Sequence, residues 1–278
     1  MARRTVKRLA LSRIHKGRSV LPSSVYVGID VACAIGKRLP ICVVSASHPL
    51  TPLPIPNDLA ALIPRGVGNK EIDAVAPFQE TAHGVVSAIK RIVTEKGWQV
   101  GRIAVDAPAA PPITGSRRSE DELGKRGLSS FRTPATCTWK SIRKKCTDHL
   151  GRGGSLATLP YANKIWMLFG FELFAALKSC LGVEVIEVYP FAIVRALLPR
   201  CEHKSTEEGY GGQLAAVAAR TKWEPRELEA KLKATVPGSR HDRLDAFMAA
   251  WAASLPPSGR RAFGDAHRPD DAIWIPNV

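Results

Sequence analysis

Two runs, Val25-Tyr26-Val27-Gly28-Ile29-Asp30 and Gln99 to Asp106 (QVGRIAVD), read as short buried strands, and each ends on an aspartate. Ala107-Pro108 follows the second at once, so the chain must turn just where Asp106 is presented. Leu39 to Ser45 (LPICVVS) is a further strand close behind the first, which predicts a hairpin. Val183 to Val188 is another, broken at Tyr189-Pro190. Between the strands the period changes. Val85, Val86, Ile89, Ile92 and Val93 within Ala82 to Lys96 have helical spacing, as do Ile165, Leu168, Phe169, Leu173, Ala176 and Leu177 within 161–181. Two or three helices are expected over 191–236, and one from near Ser239 to about Ala253. Strands and helices are mixed, without repeats, which is the pattern of an α/β fold.

No composition shift divides the chain cleanly, so the expectation is a basic arm, 1–24, followed by one domain, 25–278. With 278 residues and 45% hydrophobic content, a substantial core is expected. The formal charge of +15 is unevenly placed. Residues 1–24 hold seven Lys/Arg and no acid, and residues 114–153 hold ten against four acids, so these two stretches supply 13 of the 15 excess charges. Localised basic charge suits a polyanion, nucleic acid first. The second stretch has little periodicity and reads as a basic insertion or lid, with Arg117, Arg118, Lys140, Arg143, Lys144 and Lys145 as candidate phosphate contacts. Trp139 within it either stacks on a base or packs in the core. The five prolines of 49–64 predict an irregular connection.

Six cysteines without a C-x-x-C pair fit a reduced, cytoplasmic protein. Cys137, Cys146 and His149, with Cys201 and His203 further on, offer zinc-type donors, although the spacing matches no common finger. Ile165 to Leu177 is too short to span a bilayer and contains Glu172, so no membrane partner is expected. The acid-free arm is also compatible with an organelle transit peptide.

The chemistry lies in the acids. In His241-Asp242-Arg243-Leu244-Asp245-Ala246 the two aspartates are three apart, hence neighbours on one helix face with Cβ atoms roughly 5–6 Å apart. Like charges so placed destabilise a bare helix. Ala246, Ala249, Ala250 and Ala253 leave a small-residue surface that lets this helix approach a sheet closely. Asp242 is equally well explained as a residue of the helix cap, whereas Asp245 lies too deep for that. Carboxylates gathered from separate elements repel unless cations neutralise them, which makes the set costly without a metal and useful with one.

The segments VGIDVA (27–32), IAVDAP (103–108), EVYP (187–190), HDRLDAFMAAWAA (241–253) and AIWIP (272–276) resemble the family known as domain of unknown function 429, a predicted group of RNase H-like nucleases. The H-D-x-x-D-A stretch is also similar to the last catalytic helix of RuvC-type resolvases. The resemblance implies an RNase H-like mixed sheet flanked by helices, its first strand carrying Asp30, with Asp106, Asp242 and Asp245 converging on it. It further suggests Glu187 as a ligand or substrate contact and, loosely, matches Arg118 and Glu120. A resolvase-like role would predict a homodimer. The basic arm and insertion go beyond the family pattern.

The expected activity is therefore phosphodiester hydrolysis of DNA or RNA. Asp30 would bridge two Mg²⁺ or Mn²⁺ ions, Asp106, Asp242 and Asp245 would complete their shells, and His241 would shuttle a proton or orient water. Two alternatives share the fold. Actin-like and sugar-kinase ATPases also begin with a strand ending in Asp, but they need small Gly/Thr-rich backbone after it, where Val31 to Ile35 stand here. The other is a non-catalytic nucleic-acid-binding or adaptor protein, which would gain nothing from clustered acids.

Overall fold

β1 (Ser23–Asp30) is the strand around which the sheet is assembled. It pairs antiparallel with β2 (Ile41–Ser45) on one side and parallel with β4 (Trp98–Asp106) on the other. β2 pairs antiparallel with β3 (Thr51–Leu53), which forms one edge. Beyond β4 lies β5 (Glu184–Val188), parallel to it, then β7 (Ala272–Pro276), parallel to β5, and finally β6 (Arg260–Gly264), antiparallel to β7. The order is β3-β2-β1-β4-β5-β7-β6, a seven-stranded mixed sheet. The structure, a computed structural model, describes residues 23–31, 35–47, 49–68, 76–128, 132–268 and 270–278. The expected basic arm lies almost wholly outside them, as does Cys33.

Nine α-helices among the described residues flank this sheet. One face is covered by α2 (Ala76–Lys96) and α5 (Ala162–Leu181), with α4 (Thr136–Gly151) packed against them. Phe78, Phe169 and Phe174 are fully buried here, each worth about 1.5–3 kcal/mol of transfer free energy. The other face is covered by α9 (Arg240–Ser254), with α6 (Pro190–Leu197), α7 (Glu207–Thr221) and α8 (Pro225–Thr235) around it. Side chains alternate between the two layers as the pleat requires. Val25, Val27, Ile29, Ile103, Val105 and Val185 join the first core, whereas Ala104, Ile186 and Val188 join the second.

The fit of α9 onto β1 is set by small residues. Ala246, Ala249, Ala250 and Ala253 are fully buried, and a Cβ on Gly28 would lie 2.1 Å from the Ala246 carbonyl oxygen and 2.2 Å from the Ala250 nitrogen. Only glycine allows that approach. The small-residue surface read from the sequence thus meets its counterpart in the middle of the first strand.

Two expectations need correction. The basic stretch 114–153 is not an irregular lid, since it holds α3 (Arg118–Lys125) and α4. Its lysines and arginines mask an apolar stripe, Trp139, Ile142 and Cys146, that docks on the α2/α5 layer. Trp139 is 5% exposed and meets Phe171 edge-on at 6.0 Å, so it packs in the core and is not available to stack on a base. The proline-rich 49–64 run also contains structure, namely β3 and the short α1 (Asn57–Ala60). Pro52 is tolerated because β3 is an edge strand, where a missing N–H costs no ladder bond. Among the described residues no helix is long and apolar enough to cross a membrane.

Candidate functional site

Asp30 and Asp106 are register partners at the C-terminal ends of two adjacent parallel strands. Their predecessors Ile29 and Val105 belong to the α2/α5 core, so both aspartates point to the α9 side of the sheet. Neighbouring strands lie about 4.8 Å apart, and two carboxylates so placed face each other closely. The backbone of Asp30 is fixed by its N–H, which donates to the Pro40 carbonyl at 3.1 Å.

α9 brings the other pair. Ser239 caps it, its hydroxyl accepting from the Asp242 N–H at 3.4 Å while Asp242 Oδ2 accepts from the Ser239 N–H at 3.0 Å. One oxygen of Asp242 is thus engaged in a capping box, the bland role that the sequence allowed it. Asp245, a turn further in, is 5% exposed and takes no part in the cap. Burial raises the proton affinity of Asp30 well above the usual carboxylate range, and the negative charges of Asp106, Asp245 and Asp242 raise it further. Asp106 is likewise raised, first by burial and then by Asp245, and Asp245 by burial and by Asp242. Asp30 therefore feels the charge of the other three aspartates expected from the sequence.

A residue that the sequence reading missed stands among them. Lys204, from the loop between α6 and α7, donates from Nζ to Asp245 Oδ2. Its charge also favours the ionised forms of Asp106 and Asp30. Nothing in the sequence separates this lysine from a solvated one, because the contact depends on a 41-residue excursion of the chain. Tyr189 was also missed. It precedes α6, lines a cavity of about 30 Å³ with Asp106, and its hydroxyl is pushed up by burial and by Asp106 and Asp245. His241 has a depressed pKa, from burial first and then from Arg240 and Lys204, and it meets Tyr210 edge-on at 5.3 Å.

Glu187 lines the same cavity as Asp106 and its charge adds to the rise in the Asp106 proton affinity, but it is held by other partners. Paired in register with Val105 and 4% exposed, it accepts two hydrogen bonds from Arg117 at 2.6 and 2.7 Å and one from the Ala109 N–H at 2.8 Å. The Ala109 bond fixes the turn that follows Asp106, so Glu187 acts on the site by holding its neighbour. Arg117, 3% exposed, is correspondingly withdrawn from solvent and cannot contact phosphate as expected; Glu120 lies 3.5 Å away and is itself bound by the Thr133 N–H.

Of the other basic residues expected to meet phosphate, Arg118, Lys140, Lys144 and Lys145 are exposed and Arg143 is half-buried. Arg118 pairs with Glu122 at 2.8 Å and Lys144 with Asp148 at 2.8 Å, while Lys145 lies over the Tyr161 ring. The zinc-type donors are employed separately: Cys146 donates to the Pro160 carbonyl at 3.1 Å, His149 bonds Ser155 and Thr158, and His203 bonds Ser205. Among the described residues no group of three or more His, Cys, Asp or Glu side chains is placed so that it could hold a metal ion, the four aspartates included.

Residues 20–268 match the model of a family described as a protein of unknown function, DUF429. The chain belongs to the DUF429 family. The match takes in β1 with Asp30, β4 with Asp106, and α9 with Asp242 and Asp245, so the electrostatically linked acids all lie within the DUF429 region. No curated protein and no solved structure matches the chain.

Proposed function

We propose that this DUF429 protein is a divalent-metal-dependent nuclease with an RNase H-like core, hydrolysing phosphodiester bonds of DNA or RNA. The observation that carries this reading is the register pairing of Asp30 with Asp106 on the face covered by α9, which supplies Asp245 and Asp242. A mixed sheet whose central first strand ends on an acid is what an RNase H-like core would present. The donor type suits Mg²⁺ or Mn²⁺, since all four groups are hard carboxylate oxygens; burial first, and neighbouring acids after it, raise the proton affinities of Asp30, Asp106 and Asp245. As they stand, no three of these carboxylates are placed to hold one ion, with Asp245 held by Lys204 and Asp242 tied to the cap, so metal binding would have to draw them together.

Asp30, Asp106 and Asp245 would hold the metal, with Asp242 contributing its uncapped oxygen. When bound, the metal supplies an activated water and charge neutralisation at the leaving oxygen. The protein's own part is positional. Adjacent strands fix two carboxylates, Glu187 and Arg117 brace the turn after Asp106, and exposed cations of α4 attract the backbone of the substrate. His241, neutral near pH 7, is suited to accept a proton near Asp245.

The second reading, a non-catalytic nucleic-acid binder, is favoured by one observation, the Lys204 ammonium already paired to Asp245. Incubation with labelled single-stranded, duplex, hybrid and branched nucleic acids in Mg²⁺, Mn²⁺ or EDTA separates the two. A nuclease cleaves at least one of them in a metal-dependent way and loses cleavage, but not binding, in Asp30→Asn and Asp245→Asn. Binding without cleavage under every condition favours the binder.

A further inference from the structure

A second cavity, of about 250 Å³, lies between α4, α5 and the start of α2, and none of the aspartates lines it. Its inner wall is aromatic, made by Phe78, Trp139 and Phe171. Phe78 is 1% exposed and Phe171 half-buried, so Phe171 is the ring with surface left to cover. Trp139 is packed in the core with Phe171 edge-on to it, and it offers something else. Its indole N–H is buried without a hydrogen-bond partner among the described residues. Buried donors are nearly always paired, because an unpaired one has lost water and gained nothing in return. Lys140, Arg143 and Glu172 also line the cavity, and among the described residues none of them forms an ion pair. Arg143 stands one helical turn beyond Trp139 on α4, and Glu172 follows Phe171 on α5.

These groups together specify a ligand. The open surface of Phe171 suits a flat ring, and Trp139 requires an acceptor on that same ring. Two cations against one acid favour an anion, while Glu172 favours an N–H donor beside it. A plain hydrocarbon ring would leave the indole N–H unpaired. A nucleobase carries ring and carbonyl acceptors, N–H donors and, through its sugar, a phosphate. The volume, below the roughly 300–1,000 Å³ of sites for drug-sized molecules, limits the occupant to one heterocycle.

We propose that this cavity receives one unpaired nucleobase of a nucleic-acid strand, stacked on Phe171 and bonded by the Trp139 N–H, with Lys140 and Arg143 on the adjoining phosphate. The proposal rests on the nuclease reading and names its substrate class as single-stranded nucleic acid. In a duplex each base is stacked and paired, and bringing one to Phe171 would cost both interactions. A strand is assigned rather than a free nucleotide because the exposed cations of α4 continue past the cavity to Lys144 and Lys145, farther than one phosphate reaches.

The test is fluorescence anisotropy of a labelled single-stranded oligonucleotide in EDTA, which prevents metal-dependent cleavage, beside the same strand carrying abasic sites. Wild type is expected to bind the intact strand about tenfold more tightly. Phe171→Ala should lose that preference and bind the abasic strand as wild type does. Trp139→Phe, which keeps a ring and removes the N–H, should weaken the intact strand roughly three- to tenfold and leave the abasic strand unaffected. Thermal melts verify both folds, and Trp139→Phe carries the test if Phe171→Ala does not fold. Equal losses on both strands in folded variants overturn the proposal. Equal affinity of wild type for the two strands also overturns it, and leaves the nuclease reading standing where Mn²⁺-dependent cleavage persists. Competition by free nucleoside monophosphates as strong as that of the strand overturns the assignment to a strand. No binding of any nucleic acid, with no cleavage, overturns both.

Discussion

At the scale of single residues, the aspartates are held at a cost to stability. Folding raises the proton affinities of Asp30 and Asp106 through burial and mutual repulsion. A carboxyl whose pKa rises on folding favours the folded state below its unfolded pKa, about 4, and that contribution is lost as pH climbs through the raised value. Asp30→Asn removes the ionisable group and is expected to raise Tm by roughly 2–4 °C at pH 8 in metal-free buffer. The gap should close below about pH 3, where the wild-type group is protonated in both states. Thermal melts of the two proteins at both pH values check this, and a variant that melts lower at pH 8 contradicts it. Most of this cluster was legible in the sequence, because Asp30 and Asp106 end apolar runs and Asp242 and Asp245 share one turn. Lys204 was not, since one lysine in a polar loop carries no periodicity. For Glu187 the motif gave no partner; the structure shows it paired with Arg117 in the cavity that Asp106 also lines.

At the scale of elements, the site depends on how closely α9 lies on β1. Gly28→Ala inserts a methyl group where the α9 backbone already stands, so the helix must lift or the strand must bend. Overpacking against backbone, which cannot rotate aside, is expected to cost at least about 3 kcal/mol. Urea denaturation monitored by circular dichroism measures it, and a loss below about 1 kcal/mol would mean that the two elements are not packed as described. The sequence anticipated this contact from the alanine face of the helix, but placed no partner opposite it. The helices α3 and α4 were hidden for a different reason. Their exposed faces carry so many cations that the stripe of Trp139, Ile142 and Cys146 is diluted, although its spacing is helical. β3 was hidden by Pro52, which an edge position tolerates.

At the scale of the whole molecule, acidic and basic charge are separated in space. Acids gather at the C-terminal ends of β1 and β4, while α4 displays Lys140, Lys144 and Lys145 at the surface with Arg143 half-buried beside them. Binding to a duplex through such residues releases counterions, and each phosphate neutralised adds about 0.9 to the slope of log K against log salt. Replacing Lys140, Arg143 and Lys145 by glutamine is expected to lower that slope by roughly 2–3, read by fluorescence anisotropy of a labelled oligonucleotide across a salt series. Arg117, buried against Glu187, makes no such contribution. An unchanged slope would move the binding surface elsewhere on the protein.

The proposal is at heart spatial: a hard cation would sit between the ends of the first and fourth strands. Crystals soaked in Mn²⁺ and measured at the manganese absorption edge test it most directly. An anomalous peak at coordination distance from the carboxylates of Asp30 and Asp106 is the result expected. A peak only at other carboxylates, or none at saturating Mn²⁺, would contradict the account.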